Sequence, residues 1–181
     1  DIQAAKPARK APARTPPPRL DAPAERQLQS TPKPATPAAP SPQSAELAKT
    51  AKTLEDLKTI ISGFNAGEIS DHARQAVFSR GNPEADIMVV GEAPGRDEDL
   101  AGKPSVGPSG QLLDKIFASI GLNEDTLYLT NVVNWNPPGS RNPTEEETEL
   151  CKPFITRHIE LVDPKLIILV GGISMMAMTL S

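Results

Sequence analysis

Asp86-Ile-Met-Val-Val-Gly-Glu-Ala-Pro-Gly-Arg-Asp-Glu-Asp99 decides the fold. It starts as a short apolar run, residues 85–90, and breaks abruptly into glycine, proline and acid. An open α/β sheet places its ligand where a strand ends in such a loop. Gly91 and Gly95 permit close approach or unusual φ, and Pro94 fixes one φ. The stretch therefore reads as a first strand running into the floor of a site.

Further along the chain, residues 100–108 form a second irregular loop. Ser109 reads as the N-cap of a helix over 110–120, with Leu112, Leu113, Ile116, Phe117 and Ile120 on one apolar face. Residues 126–133 predict a second strand, which breaks into a turn-rich loop over 134–143. Thr144 with Glu147 makes a capping box for a helix reaching about residue 161, where Asp163-Pro164 ends it. A third strand follows over 166–170, and Ser174 begins another helix. Strands alternating with helices imply an α/β fold with a parallel, doubly wound sheet.

Towards the N-terminus, Gly81-Asn82-Pro83 is a turn and residues 64–80 are ambiguous, with helix near 70–75. Residues 45–62 carry Leu47, Ala51, Leu54, Leu57, Ile60 and Ile61 near a 3.6 period, with Ser44 as cap and Gly63 beyond the end. Residues 1–45 hold eleven of the twenty prolines and seven Lys/Arg against three Asp/Glu. They read as a disordered basic Pro/Ala-rich arm, either a linker or a tether for DNA or a partner whose identity the sequence leaves open. Residues 46–181 form the domain.

The net charge of −4 does not advertise a nucleic-acid binder. The single cysteine, Cys151, excludes an intramolecular disulfide and a cysteine-only metal site, and suits a reducing compartment. The longest apolar run, 166–180, is too short for a membrane span and contains Gly171-Gly172. The chain does not begin with Met and stops just after an apolar run, so both ends read as cut.

The loops at the strand ends and in the crossover carry Glu92, Asp97, Glu98, Asp99, Ser105, Ser109, Asn131, Asn134 and Arg141. No Ser-His-Asp triad is evident, and His72 and His158 read as surface or satisfied helix histidines. No phosphate-binding glycine pattern follows the first strand. Asn131 at a strand end has two readings. Its amide satisfies a loop backbone, or it reads a base edge: a fixed carboxamide accepts from the imide N–H of uracil and donates to the adjacent carbonyl, a pattern that cytosine reverses.

Gly91-Glu-Ala-Pro-Gly95, Gly102-Lys-Pro-x-Val-Gly107, Gly110-Gln-Leu-Leu113, Thr130-Asn-Val-Val133 and Pro137-Pro-Gly-x-Arg-Asn-Pro143, in this order and spacing, resemble the family 4 uracil-DNA glycosylases. The resemblance runs from about Phe64 to the end. It implies a three-layer α/β/α fold on a mostly parallel four-stranded sheet. It also implies hydrolysis of the N-glycosidic bond of deoxyuridine in DNA, opening base-excision repair in a bacterial-type cytoplasm. A monomer acting on uracil-containing DNA, with no membrane, is the expected form. Glu92 and Ala93 would line the uracil pocket, largely through backbone groups, and Asn131 would read the base. Glu92 and Glu98 are the candidate catalytic acids, Glu98 matching an acid that orients water or stabilises the sugar cation. Ser109, Gly110 and Arg141 would contact phosphate.

The chain departs from the family in four places. The family's four cluster cysteines correspond to Phe64, Gly67, Trp135 and Cys151, so no 4Fe–4S cluster, and no other cofactor, is expected; the two rings would fill its place. Ser105 stands where the family has a phenylalanine that stacks on uracil. The late His-Pro motif has no counterpart up to Ser181, so the site reads as incomplete. The Lys-Arg-Arg-Ile-His insertion of covalently trapping relatives is absent too. A DNA- or base-binding module with impaired catalysis is the alternative reading.

Overall fold

The computed structural model describes residues 42–179; residues 1–41, which make up most of the predicted arm, lie outside them. In chain order the elements are α1 (Pro42–Thr50), α2 (Leu54–Gly63), α3 (Glu68–His72), β1 (Ser79–Gly81), β2 (Ile87–Gly91), α4 (Arg96–Ala101), α5 (Pro108–Ser119), β3 (Leu127–Asn131), α6 (Glu145–Val162), β4 (Leu166–Leu169) and α7 (Gly172–Thr179).

The sheet order is β1-β3-β2-β4. β2 pairs in parallel with β3 on one side and β4 on the other, while β1 pairs with β3 antiparallel. The four-stranded, mostly parallel sheet is as the family resemblance implies; three of its strands were predicted from the residues, and the fourth, the antiparallel edge β1, lies inside the stretch left ambiguous. β2 sits where the chain switches sides, so the crevice at its carboxyl end is the favoured place for a ligand.

Side chains along β2 alternate between two cores, as period-2 geometry requires. Met88 and Val90 join Leu57, Ile61, Tyr128, Phe154 and Ile155 under α1, α2, α6 and α7. Val89 joins Phe117, Leu127 and Leu129 under α5. Helices therefore cover both faces of the sheet. All five residues of β3 are buried, Thr130 and Asn131 included, as expected of a central strand covered on both faces.

Local chemistry corrects four element boundaries. The helix predicted over 45–62 is two helices. Thr53 caps α2 through a capping box with Asp56, and Ser44 lies inside α1, buried. Gly107, not Ser109, is the N-cap of α5, because Pro108 takes the first helical position that proline favours. α4 forms within the supposed glycine-acid loop, with Glu98 at its third position reaching back to the Gly95 N–H. Only part of the predicted α5 face is buried. Phe117 is, whereas Leu112, Ile116 and Ile120 are 59%, 53% and 68% exposed. The Thr144–Glu147 capping box of α6 is present as predicted, and Asp163 ends that helix in a left-handed conformation.

Beneath α6 lies a polar cluster within the core. Tyr128 donates to Ser79 Oγ at 2.8 Å and lies 2.8 Å from His158 Nε2. Phe78 stacks on the His158 ring at 4.4 Å. Burial pushes His158 down to about 3 and Tyr128 up to about 12. His158 is thus a satisfied helix histidine, in line with its sequence reading.

Candidate functional site

Register brings the site together. Gly91 and Asn131, the last residues of β2 and β3, are direct partners. The ladder continues past them through Val132 N–H to the Gly91 carbonyl (2.9 Å) and Val133 N–H to the Glu92 carbonyl (3.0 Å). A Cβ at position 91 would collide with Asn131 Oδ1, so only glycine lets the carboxamide lie across the strand end. Val170 N–H bonds the Val90 carbonyl at 2.9 Å, which sets the end of β4 beside them.

These strand ends open into a cleft of about 510 Å³, within the range of small-molecule sites. Of the residues singled out by sequence, Glu92, Ala93, Glu98, Ser105, Ser109, Gly110 and Asn131 all line it. The wall also includes Asp97 and Arg96, with Gly91, Val170 and Gly171 at the strand ends and Gly95, Gly107 and Pro108 in the loops. Asn131 is 5% exposed, and its carboxamide bonds no other described residue, so its donors and acceptor face the cleft. Asn134, by contrast, donates to the Val77 carbonyl at 3.1 Å and serves the backbone.

Both candidate acids hold backbone. Glu98 Oε2 accepts from the Gly95 N–H at 3.0 Å, and Oε1 accepts from Val106 (3.0 Å) and Gly107 (2.8 Å). Both oxygens of the carboxylate are thus committed to backbone N–H groups, and this geometry makes Glu98 a loop organiser. Glu92 Oε1 accepts from Ile173 N–H at 2.9 Å, in the first turn of α7, where the helix dipole favours an anion. Its Oε2 has no partner among the described residues. Asp99 is buried and accepts from Arg74 N–H at 3.0 Å.

Arg141 is not part of the cleft wall. Its guanidinium forks onto Glu147 at 2.7 and 2.8 Å, which holds that carboxyl below the usual carboxylate range. The phosphate role expected of Arg141 therefore meets a competing carboxylate. At the α5 end, Gly110 packs so close that a Cβ there would collide with the Ser105 carbonyl.

The cluster positions do not fit an iron–sulfur centre, which needs cysteine thiolates. Phe64 and Trp135 are buried with ring centroids 6.3 Å apart, and Phe154 meets Phe64 edge-on at 5.0 Å. Gly67 offers no donor side chain. Burial pushes the Cys151 thiol up to about 12, far from a ready thiolate. Among the described residues no three His, Cys, Asp or Glu side chains gather as a metal site, and no helix is long and apolar enough to cross a membrane.

The sequence reading missed Arg80, which is 9% exposed on β1 and binds the Pro104 and Ser105 carbonyls. Its only signal is a charge set in an otherwise apolar stretch, since its partners lie far along the chain.

The family model of the uracil DNA glycosylase superfamily matches residues 78–180. The chain is 50% identical over 91 residues to the type-4 uracil-DNA glycosylase of Archaeoglobus fulgidus, covering 50% of this chain and 46% of that protein. It is 44% identical over 99 residues to the namesake from Saccharolobus solfataricus (54% and 46%). With that of Pyrobaculum aerophilum it shares 37% identity over 124 residues (68% and 63%). The chain spans about half the length of the curated relatives it matches.

Proposed function

Because the chain belongs to the uracil DNA glycosylase superfamily, we propose that it hydrolyses the N-glycosidic bond of deoxyuridine in DNA, the step that opens base-excision repair. The observation that carries this reading is the Asn131 carboxamide, buried, without a partner among the described residues and lining the cleft. In a base flipped out of the stack, Oδ1 accepts from uracil N3–H and Nδ2 donates to O4. Cytosine offers an acceptor and a donor in the reverse order, so a fixed amide rejects it.

Hydrolysis breaks the C1′–N1 bond, forms a bond from water oxygen to C1′, and sends the water proton to the departing uracil anion. Backbone N–H groups of the loop after β2, aimed at uracil O2, stabilise that anion as it forms. Glu92 lines the cleft, and its Oε2, without a partner among the described residues, would orient the water or face the sugar cation. The first turn of α5, with Ser109 and Gly110, receives a DNA phosphate. The protein acts on uracil-containing DNA as a monomer in the cytoplasm and needs no iron–sulfur cluster. The domain takes in α1, whose Ser44 is buried, so the arm expected over residues 1–45 gives up its last four residues to the domain.

A second reading, a base-binding module with impaired catalysis, draws on Glu98 being tied to three N–H groups and on Ser105 offering no ring to stack. Labelled single- and double-stranded oligonucleotides carrying one deoxyuridine or deoxycytidine separate the two. Incubation with the full-length protein and alkaline cleavage should yield product from uracil alone. Tight binding without product would sink the enzyme and leave the module. Asn131→Asp should slow uracil excision by the equivalent of about 1–3 kcal/mol, because O4 then faces an acceptor, and should relax discrimination against cytosine. Unchanged selectivity would remove Asn131 from the reading role.

A further inference from the structure

We propose that Arg80 is a positioning residue for the cleft: its buried guanidinium fixes the backbone of Pro104 and Ser105, and with it the wall that Ser105 and the first turn of α5 present to the base. The proposal rests on the glycosylase reading for its kinetic consequence, but not for its geometry.

Arg80 projects from β1 with its side chain 6% exposed. Nε donates to the Pro104 carbonyl at 2.9 Å and Nη2 to the Ser105 carbonyl at 3.2 Å. The same guanidinium pairs with Asp114 on α5 and with Glu124 before β3, each at 2.6 Å. One planar cation therefore ties an edge strand, a loop and a helix together. Arginine can do this because its donors form a rigid fork.

The loop it holds needs holding. Ser105 has φ +56°, a left-handed conformation that a non-glycine residue adopts only under external constraint. Its carbonyl lies against Gly110, where no Cβ would fit. On the other side, Glu98 takes the N–H groups of Val106 and Gly107. Residues 104–107 are thus gripped by opposite charges: the cation takes two carbonyls and the anion takes the next two N–H groups. Without the cation, Ser105 is free to relax towards ordinary φ, and the start of α5 moves with it.

Amide hydrogen exchange and single-turnover uracil excision, measured on the full-length wild type, Arg80→Met and Arg80→Lys, test this. Methionine keeps the apolar stem and removes every donor. Exchange at residues 105–110 should rise about tenfold or more in Arg80→Met while β2 and β3 stay protected. The excision rate at saturating enzyme should fall about 10²-fold, the cost of a displacement near 1 Å, with the half-saturating enzyme concentration unchanged. Lysine keeps a charge beside Asp114 and Glu124 but not the fork, so Arg80→Lys should fall between. A folded Arg80→Met that excises at the wild-type rate would overturn the proposal. So would exchange that loosens equally across β1, β2 and β3, the mark of a merely structural residue. Should Arg80→Met not fold, the same criteria apply to Arg80→Lys. A wild type that excises no uracil would refute the functional reading, and the exchange pattern alone would then decide whether the clamp exists.

Discussion

His158→Phe should reverse its effect on stability between pH 7.5 and pH 5. His158 is 1% exposed, has no charged partner among the described residues, and is pushed down to about 3 by burial. The unfolded chain takes up its proton below about 6.5 and the folded chain does not. Stability is therefore complete above 6.5 and declines as pH falls from there towards 3. At pH 5 the linkage amounts to about 2 kcal/mol. Phenylalanine in its place does not titrate, and the ring retains the stack on Phe78, 4.4 Å away with planes 11° apart. It gives up the Tyr128 contact, while Tyr128 keeps Ser79, so the variant should lose about 1 kcal/mol at pH 7.5. At pH 5 it should then be about 1 kcal/mol more stable than wild type. Urea unfolding at the two pH values reads both signs, and the ordinary carboxylates stay mostly ionised throughout. Wild-type and variant stabilities that stay parallel from pH 7.5 to pH 5 would refute the assignment of a neutral buried imidazole.

Two further predictions concern the site and its surroundings. Glu98→Gln turns one acceptor towards backbone N–H groups as a donor; it should lower stability by about 1–3 kcal/mol and slow excision by the same factor at every pH. Loss of the acidic limb of the pH–rate profile would instead make Glu98 a base. Anaerobically purified protein should carry no stoichiometric iron and show no visible absorption band, and a chelator should leave its thermal midpoint in place. An iron-loaded protein would show that the packed Phe64 and Trp135 rings do not take the place of a cluster.

Much of the site was legible because it is built from local signals at strand ends. The run 86–90 breaks into Gly91-Glu-Ala-Pro-Gly95, and Asn131 follows an apolar stretch. Parallel pairing then brings the two ends together as direct partners. The same local logic fixes the capping boxes at Thr53 and Thr144. Reading one long helix across Thr53 missed a cap that was present in the residues, and naming Ser109 as a cap overlooked Pro108. These were errors of weighting between local signals. Glu98 was another matter. Its acidity and its place by the cleft were visible, but its partners Val106 and Gly107 are carried on the following loop.

The alternation of strands and helices, the place of the cleft at the strand ends and the presence of Asn131 in its wall were all legible in the residues, because strand and helix periods and turn chemistry act over a few neighbours. What the polar and charged groups do depends on contacts made by folding. Arg80 reaches Asp114 and Glu124 across 34 and 44 residues of chain, Ser79 finds Tyr128 across 49, and Arg141 turns to Glu147 away from the cleft. A charge satisfies itself with whatever opposite group folding brings near, and a one-dimensional pattern carries no record of that distance.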